Sequence, residues 1–406
     1  MMKPLFVIVI CFFSQLSLGQ ELLPIGLDTT DQSRHISLQG SAFYLSSGIQ
    51  NDVASKLLFG GSISDQDKLA SLEEHDDINR LGGDVSVRAQ YFSNQTLIKK
   101  WDHLSWMIDA GFETHFSAQY ATSLYGLAFF GNDYYRGETA NFSNSFGRLQ
   151  SFYTIGFGLY ENKTKSRVVL SAILPTGDAY FSADRGTLYT SIDGDTVNLA
   201  MTGEVRQSNS PAFFQGIGAA LNFDFKIPFT MNSGSTGFFS ITGQNLGAYY
   251  LNSVSELSFE TVMQFDGYSL ADIADIEGNG GSVLEDSLNV VRNSASGWRM
   301  LPGFIQVGKL VEKYTDKQIQ AFYGVRMYTN SVYRPLAYAG VHWNPTLKLA
   351  LGAQVSFGGY GNFRGGIYAG YTGDHLSISL GTEDVVGVLF GSQFGKSALI
   401  RMSWNI

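Results

Sequence analysis

Six histidines, His35, His75, His103, His115, His342 and His375, are the only side chains of this 406-residue chain that ordinarily titrate near neutrality. None stands beside a nucleophile and an acid in a spacing that serves acyl or phosphoryl transfer. G-G-Y-G-N at 358–362 has the glycines of a phosphate loop, but strand-like alternation flanks it on both sides, so it reads as a hairpin loop. The run Glu73-Glu74-His75-Asp76-Asp77 offers oxygen ligands without the ordered spacing of a cation loop and reads as a solvated helix face. Cys11, the single cysteine, lies in an amino-terminal apolar run, which excludes disulfides and thiolate metal sites from the rest of the chain. No enzyme activity and no cofactor is expected.

What remains is a set of ionisable residues placed at alternate positions within apolar stretches: Asp84, Arg88, Asp109, Glu113, Asp224, Arg326, Lys348, Arg364 and Arg401. Facing lipid at mid-bilayer, each would cost about 2 to 4 kcal/mol, so all nine are assigned to the inner wall of a barrel. There they either form an ion-paired network that fills the lumen or line a path for a ligand. Arg326, Arg364 and Arg401 are expected to share one inner wall and to neutralise Asp84, Asp109 and Glu113 across the closure of the barrel.

The elements that would hold these charges are strands. In the last ten residues, Ala398, Ile400, Met402, Trp404 and Ile406 fall on one face and Ser397, Arg401, Ser403 and Asn405 on the other. The same two-residue period runs through Val85–Tyr91, Leu104–Phe112, Tyr153–Leu159, Ile217–Phe225 and Leu347–Phe357. Charged residues make up 16% of the chain, well below the quarter usual in soluble domains, while 30 Phe, 21 Tyr and 46 Gly accompany only 8 Pro. After residue 20 no apolar run is long enough for a helical span. A net charge of -9 argues against nucleic acid as a partner.

Residues 1–19 read as a cleaved export signal, with Lys3 ahead of an apolar core and small residues before Gln20. Residues 20–35 form a lead-in or plug, and 36–406 an all-β, closed, antiparallel transmembrane barrel of about 14 strands. The number rises to sixteen or eighteen if weaker runs, including a hairpin at Asp193-Gly194-Asp195, also cross. Ile36–Leu45 and Val53–Gly60 read as the first strands, Ser64–Asn79 as a helix within a loop, and Phe116–Asn144 as a long loop, part of which folds over or into the barrel. Thr236–Gly247 and Val254–Val262 read as separate strands. The acidic, Gly- and Ser-rich stretch 263–301 reads as a long loop or plug. Past Pro302 the strands come at regular spacing, with tight turns at one end and longer connections at the other.

The carboxyl-terminal third, with I-Q-V-G-K-L, Y-G-V-R-M-Y, P-L-A-Y-A-G-V-H-W, L-A-L-G-A-Q-V-S-F-G-G-Y-G-N-F and L-S-I-S-L-G-T-E-D-V-V-G, resembles a family of Bacteroidota outer-membrane proteins. That family is similar in turn to the fourteen-stranded barrels of the long-chain fatty-acid transporter class and to PorV-type accessories of type IX secretion. The resemblance covers residues 30–406 in pattern and the region after Pro302 in wording, and the chain ends in Ile406 where such barrels carry an aromatic. It implies the outer membrane of a Gram-negative bacterium, with lipid around the barrel. It further implies either transport of a small apolar ligand or a structural, secretion-accessory role that holds a protein partner through the outer loops. No functional residue carries over.

Overall fold

First and last strands meet. In the computed structural model, which describes residues 34–97, 100–101, 103–208, 213–230, 236–266, 291–312 and 318–406, β1 (His35–Ser46) pairs with β2 (Ile78–Thr96) on one side. On its other side β1 pairs with β17 (Gly395–Asn405), from His35↔Asn405 to Leu45↔Gly395. Between them the chain forms β3 (Leu104–Ala121), β4 (Thr139–Asn141), β5 (Ser145–Glu161), β6 (Arg167–Thr190), β7 (Val197–Ser208), β8 (Gly216–Thr230) and β9 (Thr236–Phe265). It continues through β10 (Val291–Met300), β11 (Phe304–Lys309), β12 (Ile319–Tyr328), β13 (Arg334–Trp343), β14 (Leu349–Gly359), β15 (Phe363–Thr372) and β16 (Leu376–Thr382). Fourteen of these strands, all but β4, β7 and β10, close an antiparallel ring. Closure leaves no edge in the apolar slab, where an unpaired peptide group would be costly.

The other three belong to a wing beyond the ring. Arg167–Ile173 of β6 pair with β8, whereas Ala179–Thr190 of the same strand pair with β7. β9 likewise leaves β8 near Leu251 and pairs with β7 from Val254 to Phe265, while β10 lies along its other side. The hairpin at Asp193-Gly194-Asp195 therefore joins β6 to β7 at the tip of the wing. A strand of 30 residues spans about 100 Å at 3.3 Å per residue, against the 9 to 11 residues a crossing needs. Three segments differ from their sequence reading here. Thr236–Gly247 and Val254–Val262 are one continuous strand, and the ends of 263–301 are strand, completing β9 and forming β10. The middle of that segment, 267–290, lies outside the described residues, as do 1–33 and with them the export signal and most of the lead-in.

At the loop end of the barrel, α1 (Asn51–Phe59), α2 (Asp65–Glu73) and α3 (Thr122–Phe130) form a cap. Val53–Gly60, read as a strand, is α1: Val53 and Ala54 share its inner face against Tyr44, Tyr120 and Tyr125, and Gly60 at φ +84 ends it. In the stretch 116–144, β3 runs on to Ala121 before α3 begins, so strand and helix replace much of the expected loop. A capping box between Ser64 and Asp67 opens α2, and Lys56 reaches Asp67 at 2.6 Å to tie α1 to it. A short α4 (Val385–Leu389) starts where the Asp384 carboxylate accepts the Gly387 N–H at 2.8 Å.

The outer surface of the ring carries Ile155, Leu170, Ile217, Val325, Val355 and Phe357, all exposed, whereas their neighbours in sequence turn inward. An apolar exterior over a polar and aromatic interior is the inverse of a soluble domain and requires lipid.

Candidate functional site

Inside the ring, aromatic and apolar side chains are packed along β1 and β11–β15. Phe43 and Leu45 from β1, Phe304 from β11, Phe322 and Tyr328 from β12, and Tyr338 from β13 all point inward. Several of the rings sit over a glycine across the ladder: Gly340 lies under the Phe322 ring and Gly352 under Tyr368, where a Cβ would sit 2.4 and 2.2 Å from ring carbon. The glycines of β12–β15 thus make room for rings in the lumen. Gly358 and Gly359, both at positive φ, turn the chain so that Tyr360 drops into this cluster, 1% exposed.

Tyr360 begins a hydrogen-bonded chain across the lumen. Its hydroxyl contacts Ser331 and donates to His115 Nε2 at 2.9 Å, leaving His115 Nδ1–H to face Asp84 Oδ2 at 3.4 Å. This assignment satisfies every member with a neutral imidazole. One rung further along β3, Glu113 Oε2 accepts Asn245 Nδ2–H at 2.7 Å. The Asn245 N–H donates to Asn222 Oδ1 at 2.7 Å, and Asn222 Nδ2 donates to Ser171 at 3.0 Å. Asn222 sits at the register shift between β8 and β9 and Asn245 at φ +53, so the bulge aims both amides into the lumen. A second knot joins Gln150 to Tyr249 at 2.6 Å, and Tyr249 to Asp178.

Towards the turn end the lining becomes ionic. Asp224 holds Lys226 at 2.7 Å and Arg167 at 3.8 Å, and accepts Ser240 at 2.8 Å. Asp109 meets Arg88 at 3.8 Å and accepts Gln90 at 2.6 Å. Arg88, Asp109, Arg167, Asn222 and Thr242 line a cavity of about 10 Å³, room for roughly one water.

Of the nine residues singled out in the sequence, the structure buries Asp84, Asp109, Glu113, Arg326 and Arg364 and half-buries Arg88, Asp224 and Arg401. Lys348 is a correction. It belongs to the turn before β14, 56% exposed beside Asp374 at 3.3 Å, because the strand and its inward alternation begin only at Leu349. Of the three arginines expected to neutralise Asp84, Asp109 and Glu113, Arg326 lies within electrostatic reach of Asp84, while Arg364 and Arg401 have other surroundings. Arg326 donates to Gln306 at 2.7 Å and lies 4.3 Å over the Phe304 ring, and Arg401 donates to Gln39 at 2.7 Å. The ladder sets these heights: Gln39 stands opposite both Arg401 and Arg88, several rungs from Asp84, which stands opposite Phe43. Arg364 stands opposite Ser356. His115, Gln150, Asn245 and Tyr360 were missed, although His115 is in phase with Asp109 and Glu113.

Outside the spanning strands, burial lowers His75 below imidazole's usual 6.5; its Nδ1–H donates to the Ser71 carbonyl at 2.6 Å and its Nε2 accepts Tyr120 at 3.1 Å. Hydrogen bonds from Lys56 and Ser64 hold Asp67 down at about 2. Burial raises Asp384.

No family model matches the chain, and no curated protein matches it either. Among solved structures it is similar to the Ralstonia pickettii toluene transporter TbuX, at 10% identity and a TM-score of 0.40 over 93% of this chain and 90% of that one. It is also similar to the P. putida toluene transporter TodX (11%, 0.36, 93% and 91%) and to the translocator domain of the autotransporter NalP from Neisseria meningitidis (10%, 0.29, 94% and 91%).

Proposed function

We propose that this chain is a non-catalytic transport barrel of the Gram-negative outer membrane, with its long loops outward and the ends of β1 and β17 in the periplasm, and that it admits a small apolar solute. One observation carries the reading: a contiguous cluster of rings and aliphatic side chains from β1 and β11–β15 occupies the lumen, where a water-filled pore would be polar throughout. Such a lining desolvates ions unfavourably and accepts apolar surface. Cells producing the barrel should take up the apolar fluorophore N-phenyl-1-naphthylamine faster than cells without it, while ion conductance in planar bilayers stays near baseline. Equal uptake with and without the barrel rejects the proposal.

A second reading, a barrel that holds a protein partner, is favoured by the wing, where Ile192 and Val262 are 80% and 82% exposed beyond the ring. Excising 184–202 should then abolish co-purification of the partner and leave uptake of the fluorophore unchanged.

A further inference from the structure

Arg364 differs from every other lumenal cation described above. Its side chain is 4% exposed, and among the described residues no group hydrogen-bonds its Nε, Nη1 or Nη2. The residues around it are in the same condition. Ser356, directly opposite on β14, is 2% exposed with an unpartnered hydroxyl, and Gln354, one rung along and 3% exposed, has neither its amide oxygen nor its amide nitrogen engaged. Directly opposed side chains on one face of a sheet stand about 5 Å apart and diagonal ones about 7 Å, so the three converge on one volume. Glycines border it: Gly366 leaves the place opposite Gln354 without a side chain, and a Cβ on Gly361 would lie 3.6 Å from Arg364 Nη1. Tyr368, two rungs from Arg364 on β15, lies on the far side of Gly366.

A guanidinium taken out of water without a partner is costly, and two further buried polar groups without partners add to the cost. The nearby acids do not relieve it. Asp384 spends Oδ1 on the Gly387 N–H, and neither it nor Glu383, whose Cα lies beside Gly366, hydrogen-bonds the Arg364 guanidinium. A fork of N–H donors, a primary amide and a hydroxyl match one kind of ligand: a planar carboxylate on a small body. We infer that Arg364, Gln354 and Ser356 form a binding site for a small carboxylate in the lumen just below the outer loops. The site stands apart from the transport reading, since it is measured by equilibrium binding and needs no passage through the barrel.

The test uses the full chain purified into nanodiscs, with benzoate as probe, its neutral isostere benzamide as control, and sulfate at matched ionic strength. Benzoate should bind saturably by ligand-observed NMR and raise the temperature at which the barrel loses its heat-modified gel mobility, while benzamide does neither. Arg364→Met should weaken benzoate roughly tenfold or more, and, because the arginine gives up no hydrogen bond, the variant should still assemble. Gln354→Leu keeps the guanidinium and should weaken binding several-fold, which decides the matter if Arg364→Met does not assemble. The inference is overturned by an absence of saturable binding up to about 20 mM, by equal binding of benzamide, or by undiminished binding in both variants. Displacement of benzoate by sulfate at lower concentration would replace a carboxylate site with a general oxyanion site and overturn the class assigned.

Discussion

The two halves of the ring solve different problems with the same strand. From β11 to β17 every strand has between 6 and 11 residues, one crossing each, and the connections at the turn end are tight. From β2 to β9 the ring strands run from 15 to 30 residues, and β6 and β9 carry their pairing far past the apolar slab into the wing. Where strands stop at the membrane boundary, the interior is packed with rings seated on glycines. Where they continue, the interior is braced by amides and ion pairs. Length beyond the slab therefore adds surface outside the lipid rather than strands to the crossing.

Three substitutions would sharpen or break that contrast. The largest effect belongs to the packed half: Tyr360→Ala removes a fully buried ring and its bond to His115, and should cost about 3 to 5 kcal/mol, read as a lower urea midpoint for unfolding in lipid vesicles. A change below about 1 kcal/mol would mean the rings are loosely packed and the contrast is false. Next, Val355→Arg on the lipid face of β14 should cost about 2 to 4 kcal/mol, whereas Val262→Arg in the wing should stay within about 0.5. Equal costs would place the wing in the membrane.

The smallest effect concerns the cap. His75 has its folded value below the usual 6.5, so the folded cap binds fewer protons than the open one, and the stability it contributes is full above 6.5 and declines as pH falls below that. Asp67, held at about 2, adds stability that is lost only below the usual carboxylate range. Amide hydrogen exchange of 51–73, corrected for the intrinsic rate, should thus quicken between pH 7.5 and 5.5, while exchange in β12–β15 stays unchanged. Slower exchange at the lower pH would reverse the assigned sign.

This division also governs what was legible in the sequence. In Leu347–Phe357 a two-residue period over one crossing leaves a single reading, and the structure follows it from Leu349 onward. In β9 the same period is broken at Asn245 by a bulge and continues beyond lipid, so one strand reads as two. Val53–Gly60 is short and apolar, a case in which periodicity does not separate helix from strand. The charges at Asp84, Asp109 and Glu113 were visible because alternation fixes a face, but their partners were not. Partners depend on the stagger of the ladder around the ring, which no local pattern encodes. Tyr360 and Tyr368 were overlooked for a related reason: an aromatic in a barrel strand is at home on either face, and it is the glycine opposite Tyr368 that marks it as inward.

The pairing of β1 with β17 sets the order in which the molecule can be built. A strand near the start of the described chain must wait for its partner at the far end, so the seam forms last, after nearly every other ladder, with the loop entropy of the whole ring against it. Until then β1 and β17 each display a full row of unmet peptide groups to any strand nearby. The journey to the membrane is therefore a race between one correct partner and many wrong ones, and it favours a cell that escorts the unfinished barrel until its two ends meet.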